Sequence, residues 1–495
     1  MVFLAEEKSL KVRKRETKKK DKNKDKEGEG EEEEEREGEE KEKENKKRKK
    51  EKGKRKKERK RGKKRKRKQG RKEGRKEGRK EERKKENEMR EVRPGEQSEI
   101  ELRQKVKAIT AQLENYLQKV QFKGYDPHDG LLSPLLFRLS LKKKFLAIFW
   151  LQLIKNLPFN LRPLLGISPQ VNPKALALFL RGFLIKYKLT LATKDLETAE
   201  ALGQWLLASS SSINDNCGWG YPFPWANRSF FAPARLPNIV VTSFAGQALL
   251  DLYETTGKEF WLEKAYLACQ FLLKKLHRTF DKNSFCFSYT PIDQTCIHNA
   301  NLLGAALLAR MSQFKKESDL KEKARQALLY SLKRQQPDGF WYYGEAANQR
   351  WVDSFHQGYC LEALAEIASH LGWEEIQNYY ERGINFYRYA FILPDGRIKF
   401  GDKKIYPLDA HAAAEAIICF SRLPGLKEEK GIRNKIVESF LRHFWLQEGY
   451  FAYQRRALYS IKIPYLRWVQ AWAFLALQTF LAALNEPQNS KRETK

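Results

Sequence analysis

From Glu99 onward apolar residues recur at three- and four-residue intervals, the spacing of one buried helix face. The run from Ile100 to Leu113 reads as an amphipathic helix, and a turn follows at Tyr125-Asp-Pro-His-Asp-Gly. Further along, five Ala- and Leu-rich helical runs begin after aromatic or polar loops, at Thr242, His298, Asp353, Asp409 and Arg467. Their starts lie 56, 55, 56 and 58 residues apart, a period that marks a repeated supersecondary unit. Between those starts lie more polar helices, as at Phe260–Leu276, Leu320–Arg334, Glu374–Tyr389 and Ile432–Phe444. An earlier pair, near Pro173–Lys188 and Leu196–Ser209, makes a sixth unit with a longer insertion behind it. The first helices are apolar nearly all round and should be buried, whereas the second carry charge along one face and should meet water. Six such hairpins, inner helices within outer ones, predict an all-α fold: an (α/α)6 toroid with strands confined to loops.

Composition then divides the chain. Of 495 residues, 96 are Lys or Arg and 63 are Asp or Glu, and the first 90 hold 43 of the former and 25 of the latter. A segment such as Lys46–Lys68 has too little apolar surface to offset the entropy of ordering it. The boundaries expected are a disordered Lys/Glu/Arg-rich tail over 1–95, a helical extension over 96–172, the toroid over 173–485 and a polar tail over 486–495. Met89 offers an internal start, so residues 1–88 stand apart as a segment whose translation is open. The basic blocks lack the aromatic residues that stack on bases, so nucleic acid is expected only through nonspecific attraction to them. Nothing approaches the roughly 18 apolar residues of a spanning helix. The ten-residue apolar run Phe145–Ile154, between Lys142–Lys144 and Lys155, suits a helix lying on an anionic membrane as well as a core helix with snorkelling lysines. Peripheral membrane contact through 131–167 is therefore one expectation. Six cysteines without C-x-x-C spacing read as reduced thiols of a cytoplasmic protein.

Loops ahead of the inner helices of such a ring line one mouth of a central funnel. They carry Trp219, Tyr221 and Trp225; Tyr289, His298 and Asn299; Trp341, Tyr343 and Glu345; Lys399; and Tyr453, Arg455 and Arg456. Aromatic faces stack on the C–H faces of sugars and short polar groups meet their hydroxyls, so the mouth suits a glycan; Lys399 and the arginines suit an acidic sugar. Glycoside hydrolysis needs two carboxyls, about 5 Å apart for retention or about 6.5–9.5 Å for inversion. That requirement casts Asp353 as general acid or base with Asp409 as its partner, and His356 and His411 as tuning or binding groups. The competing reading makes both aspartates helix N-caps, since Thr242, Asn299, Asp353 and Asp409 occupy corresponding helix starts and are capping types. His298, His356 and His411 recur at nearly equivalent positions, which opens imidazole acid–base exchange of an epimerase-like kind; hydrogen-bonded structural roles are the alternative. Zinc-site spacings, G-x-S-x-G, Walker and dinucleotide fingerprints are absent, so neither a metal nor a cofactor is expected.

Over about residues 173–484 the hairpin count, period and loop character resemble the six-hairpin glycosidase-like superfamily. The resemblance implies a carbohydrate-active protein of polysaccharide or oligosaccharide metabolism: a glycoside hydrolase, lyase or epimerase-like enzyme, or a non-catalytic glycan-binding or assembly factor using the same funnel. The motifs Tyr125-Asp-Pro-His-Asp-Gly-Leu-Leu-Ser-Pro and Asp353-Ser-Phe-His-Gln-Gly-Tyr-Cys-Leu-Glu are also similar to prokaryotic proteins associated with surface-polysaccharide gene sets. Gln335-Gln-Pro-Asp-Gly-Phe-Trp matches the Q-x-x-x-G-x-W core of terpene cyclases and related toroids, which makes a terpene cyclase or prenyltransferase-like toroid a second alternative. The motif occurs once, the D-x-D-D acid of squalene–hopene cyclases is missing, and a glycine ending a helix with a tryptophan plugging the loop explains it structurally.

Overall fold

The computed structural model describes residues 94–485 except 142, 214–215, 227–230 and 316–317. Of the tail expected over 1–95 only the last two residues are described, and they begin a helix; the polar end over 486–495 lies outside the described residues. Helix α1 (Pro94–Lys119) buries Leu102, Val106, Ile109, Leu113 and Leu117, one stripe at helical spacing. A 3₁₀ turn (Asp129–Leu132), α2 (Pro134–Leu139) and α3 (Lys144–Asn156) follow.

The repeat then unfolds as expected. Helices α4 (Pro173–Thr190), α6 (Ile239–Thr256), α8 (His298–Met311), α10 (Ser354–Leu371), α12 (Ala410–Arg422) and α14 (Ala471–Ala483) form the inner ring. Each packs on the next and α14 packs back on α4, so the ring is closed. At that seam Gly182 admits the ring of Phe474; a Cβ there would lie 2.6 Å from its Cδ1. The outer helices are α5 (Thr193–Ala208), α7 (Glu259–Lys275), α9 (Ser318–Leu332), α11 (Gln377–Phe391) and α13 (Lys430–Phe444). Helix α1 lies against α14 and α13, so the first described helix supplies the outer partner of the last inner one. Periodicity could not reveal that pairing, because its two members stand at opposite ends of the chain.

Short antiparallel strands occupy the loops: β1 (Ser211–Ile213) with β2 (Asn216–Gly218), β3 (Trp225–Ala226) with β4 (Phe231–Ala232), and β5 (Arg278–Asp281) with β6 (Ser284–Phe287). A three-stranded sheet joins β7 (Leu408–Asp409), β8 (Gln454–Arg455) and β9 (Ser460–Ile461). Buried loops need partners for their backbone groups, and the inner helices supply them by two recurring devices. First, the backbone N–H that opens an inner helix donates to an aromatic residue of the next loop: Ile239 to the carbonyl of Tyr289, His298 to Tyr343, Ser354 to Phe400 and Ala410 to Tyr453. Leu466, in the π-helical turn Leu466–Gln470 ahead of α14, donates in the same way to Tyr125. Helix α4 opens with Pro173, which has no N–H, and the corresponding Tyr221 carbonyl accepts from Arg235 instead.

Second, a polar side chain inside the helix start grips the loop residue two positions before the aromatic one. Gln357 bonds both the N–H and the C=O of Trp341 at 3.1 and 2.6 Å, and Gln470 does so for Phe451 at 2.9 and 2.7 Å. Asn301 accepts from the Phe287 N–H, and Thr242 from that of Trp219, each at 3.0 Å. The indoles of Trp219 and Trp341 then donate to Leu206 and Ser331 at the ends of the outer helices. Thr242 therefore lies within the first turn of α6, whose cap is Asn238 accepting from Val241, and α8 starts after Ile297 without a side-chain cap.

Replacing Gln357 by Leu should leave two buried backbone groups of Trp341 unpaired and lower unfolding free energy by about 3 kcal/mol. The same change at exposed Gln377 should cost under about 0.5 kcal/mol; urea unfolding of the two variants compares them.

Candidate active site

The N-terminal ends of the inner helices meet around a cavity of about 230 Å³. Eight residues expected at the mouth line it: Tyr221, Trp225, Tyr289, Asn299, Tyr343, Asp353, His356 and His411. The structure adds His128, Lys155, Lys174, Trp351, Phe355, Tyr359, Phe400, Arg467 and Trp468. One wall is aromatic, with Trp225 packed against Tyr289 and Tyr221, and Tyr343 stacks on Trp351 at 4.3 Å. The Oδ1 of Asn299, which also lines the cavity, is buried without a hydrogen-bond partner among the described residues.

Asp353 is both cap and orienter. One carboxylate oxygen accepts the backbone N–H of His356 at 3.0 Å; the other meets His356 Nδ1 at 2.7 Å and accepts from the Trp351 indole at 3.1 Å. With Nδ1–H turned to the carboxylate, the lone pair of His356 lies on Nε2. The second imidazole sits deeper. His411 stacks between Phe355 and Trp472, and its Nε2 is 2.5 Å from the Tyr359 hydroxyl. Burial, then the charges of Lys174, Arg467 and His356, hold His411 well below the ordinary imidazole range. Burial pushes the Tyr359 phenol well up, and the Glu415 carboxylate adds to this.

Lys174, in the first turn of α4, forms the floor. Its Nζ lies 4.2 Å from the Phe244 ring centre, 4.9 Å from Tyr359 and 5.2 Å from Trp472, and it reaches the Tyr359 hydroxyl at 3.4 Å. Burial first, then Arg467, pushes this ammonium well below its usual range. With Lys174 donating to the Tyr359 oxygen, the phenol donates to His411 Nε2, which leaves the His411 proton on a buried Nδ1 that lacks a partner among the described residues. Arg467 is committed elsewhere, bound by two nitrogens to Asp126 at 2.6 and 2.8 Å. Burial alone would raise Asp126, yet Arg467 holds it well below the carboxylate range. Asp129 is tied to Arg162 at 2.6 Å, but its burial still raises it to about 6. The turn at 125–130 is thus locked beside the cavity and presents His128, which burial pulls down to about 4.

The other expected residues lie elsewhere. Asp409 caps α12 behind the wall: it accepts from the backbone of His411 and Ala412, from Gln454 Nε2 at 2.6 Å and from the Trp468 indole. Burial raises its pKa, against the Gln454 bond and the nearby Lys155. Trp219 and Trp341 are core residues and Tyr453 is buried against Tyr465. Glu345 pairs with Arg334, Lys399 donates to the Asp402 carbonyl, Arg455 is exposed and Arg456 reaches Asn156. The three histidines separate by register: His298 is the first residue of α8, His411 the second of α12 and His356 the third of α10. One residue turns a helix by about 100°, so near-equivalent positions point in different directions, and His298 is buried outside the cavity. Lys174 carried a faint sequence signal, a lone cation opening an apolar helix; Tyr359, one turn beyond His356, carried another. Among the described residues no group of three or more His, Cys, Asp or Glu is placed to hold a metal ion.

The chain matches no family model and no curated protein. Among solved structures, a polysaccharide lyase aligns over 77% of this chain and 97% of its own length, with TM-score 0.50 and 11% identity. A cellobiose 2-epimerase from Spirochaeta thermophila covers 64% of this chain and 88% of its own, with TM-score 0.48 and 14% identity. A GH76 α-mannanase from Bacteroides thetaiotaomicron covers 63% and 86%, with TM-score 0.48 and 11% identity. The polysaccharide lyase shares the fold, and the closed ring of inner helices seen here is the toroid of six helical hairpins that the repeat predicts.

Burial holds His128 and His298 at about 4 and His411 well below its ordinary range, while unfolded histidines titrate near about 6.5. Below that pH the histidines of the unfolded chain bind more protons than those of the folded one, so their contribution makes stability fall as pH drops from about 6.5 to 4, with the buried carboxyls of Asp129, Asp409, Glu362 and Glu415, all raised by burial, acting oppositely. Thermal unfolding should show that contribution as the difference between the wild type and His298→Leu, outside the cavity, which should lose less stability over that range.

Proposed function

We propose that the protein is a carbohydrate-active enzyme acting on an acidic sugar, and that its reaction begins by removing the proton next to a uronate-type carboxylate. The observation that carries this reading is a single cavity holding an Asp353-oriented imidazole, a Tyr359–His411 pair and the two lysines 155 and 174. His356 Nε2 takes the proton from carbon. The freed electron pair either expels the oxygen on the neighbouring carbon, which leaves protonated through Tyr359 and gives an unsaturated sugar, or takes the Tyr359 proton on the opposite face and inverts the centre. Lys174 and Lys155 offset the charge that builds on the carboxylate. The aromatic wall stacks the sugar ring, and Asn299 takes a hydroxyl.

Hydrolysis by paired carboxyls has less support, because Asp353 alone of the two expected acids lines the cavity and Asp409 is occupied as a cap. An isoprenoid cyclase has less again, since lysines, an arginine and three histidines share the wall. The toroid shared with a polysaccharide lyase is compatible with sugar chemistry, but the site residues carry the assignment.

Incubation with uronate-containing oligosaccharides in D2O tests it. If the centre inverts, deuterium should enter at the carbon bearing the carboxylate; if elimination occurs, that carbon keeps no hydrogen and the unsaturated sugar should appear as ultraviolet absorbance. His356→Ala should abolish exchange and Asp353→Asn should lower turnover by about 10²–10⁴-fold. Hydrolysis without exchange, surviving in His356→Ala, would overturn the proposal; glycan binding with no turnover would favour a binding factor. Lys174→Met should raise KM for acidic glycans at least tenfold while neutral glycans bind as before.

A further inference from the structure

Large apolar side chains exposed to solvent are concentrated in one stretch. Of the 21 in the described residues, nine fall between 135 and 164. Helix α3 is apolar on two sides. Ala147, Leu151 and Ile154 pack inward, the first two in a small cluster with Leu131 and Ala226, while Phe145, Phe149 and Leu153 form an outward stripe at i, i+4 and i+8. Phe145 is 65% exposed and Phe149 54%, more than a core helix leaves open. Leu141, Phe159 and Leu164 extend the surface on either side.

Charge says what covers it. No Asp or Glu occurs between Asp129 and Asp195, whereas Arg138 and Lys143 are exposed beside the stripe, within a basic stretch that includes 142–144. A second copy docked through the same face about a two-fold axis would bring these cations against their own kind. An apolar stripe bordered by cations instead matches an anionic bilayer: acyl chains take the rings and headgroup phosphates take the lysine and arginine. No described helix is long and apolar enough to cross a membrane, so the contact is one that lies in the surface.

We propose that α2, α3 and the following segment to Leu164 dock this protein on anionic lipid, with Phe145, Phe149 and Leu153 inserted and Arg138 and Lys143 at the headgroups. The same helix carries Lys155 into the cavity wall, so docking holds the cavity at the bilayer. The docking stands whatever reaction the cavity performs.

Flotation of the full chain with vesicles of 70% phosphatidylcholine and 30% phosphatidylglycerol tests it. The wild type should float, and Phe145→Ser/Phe149→Ser/Leu153→Ser, which retains the whole basic tail, should partition roughly tenfold less or worse. Arg138→Gln/Lys143→Gln should lose binding to anionic vesicles while leaving weak binding to pure phosphatidylcholine unchanged, and it serves if the triple variant fails to fold. A wild type that stays unbound, or a folded triple variant that floats equally well, would overturn the proposal. So would sedimentation showing that the triple substitution turns a lipid-free dimer into a monomer, since the stripe would then belong to a second copy.

Discussion

Loops buried at the mouth of a helical ring have no water to satisfy their backbone, and here the first turn of an inner helix does that work. At every inner-helix start but that of α4, an N–H freed there finds the carbonyl of an aromatic residue in another loop, from Tyr289 round to Tyr125. Thr242, Asn301, Gln357 and Gln470 hold the residue two places earlier. The link from Leu466 to Tyr125 joins residues 341 positions apart and exists only because α1 stands beside α14. Closure of the ring and shaping of the cavity are therefore one event: without the seam, Asp126 could not reach Arg467 and His128 would not face Trp468.

Charge is handled differently at the two ends of the barrel. Away from the cavity, Arg181 pairs with Asp251, and Arg310 with Asp251 and Glu254, so each buried guanidinium faces carboxylates. At the cavity Arg467 is likewise matched by Asp126, but Lys174 rests among three rings with no carboxylate at ion-pair distance among the described residues. A buried ammonium without a counter-ion is costly, and the surroundings answer by favouring its neutral form. An incoming carboxylate would restore the proton. That unmet demand is the physical basis for proposing an anionic sugar, and it accords with perturbed groups gathering at functional sites.

The hairpins, their period and the two aspartate caps were legible from local pattern, because helix periodicity and capping act within one turn. Asp353 was readable as cap or as site residue and is placed to do both, since its two oxygens serve different partners. Less legible were the paired aromatic positions of each loop. Trp219 and Trp341 reach outward to the ends of the outer helices, while Tyr221 and Tyr343, two residues on, face the cavity. Lys174 and Arg467 were not legible as cavity residues, because a lone cation at the start of an apolar helix reads equally well as a snorkelling one.

Spacing along the chain was enough to establish alternating buried and solvated helices and their number, since each follows from interactions a few residues long, and that number implied a toroid whose closure is made by long-range packing. Which side chains share the cavity was another matter. It depended on the rotation of each helix about its axis, where one residue of register separates His411 from His298, and on the meeting of segments from opposite ends of the chain. Those relations arise from packing between helices, and a linear pattern holds no record of the angle at which one helix meets another.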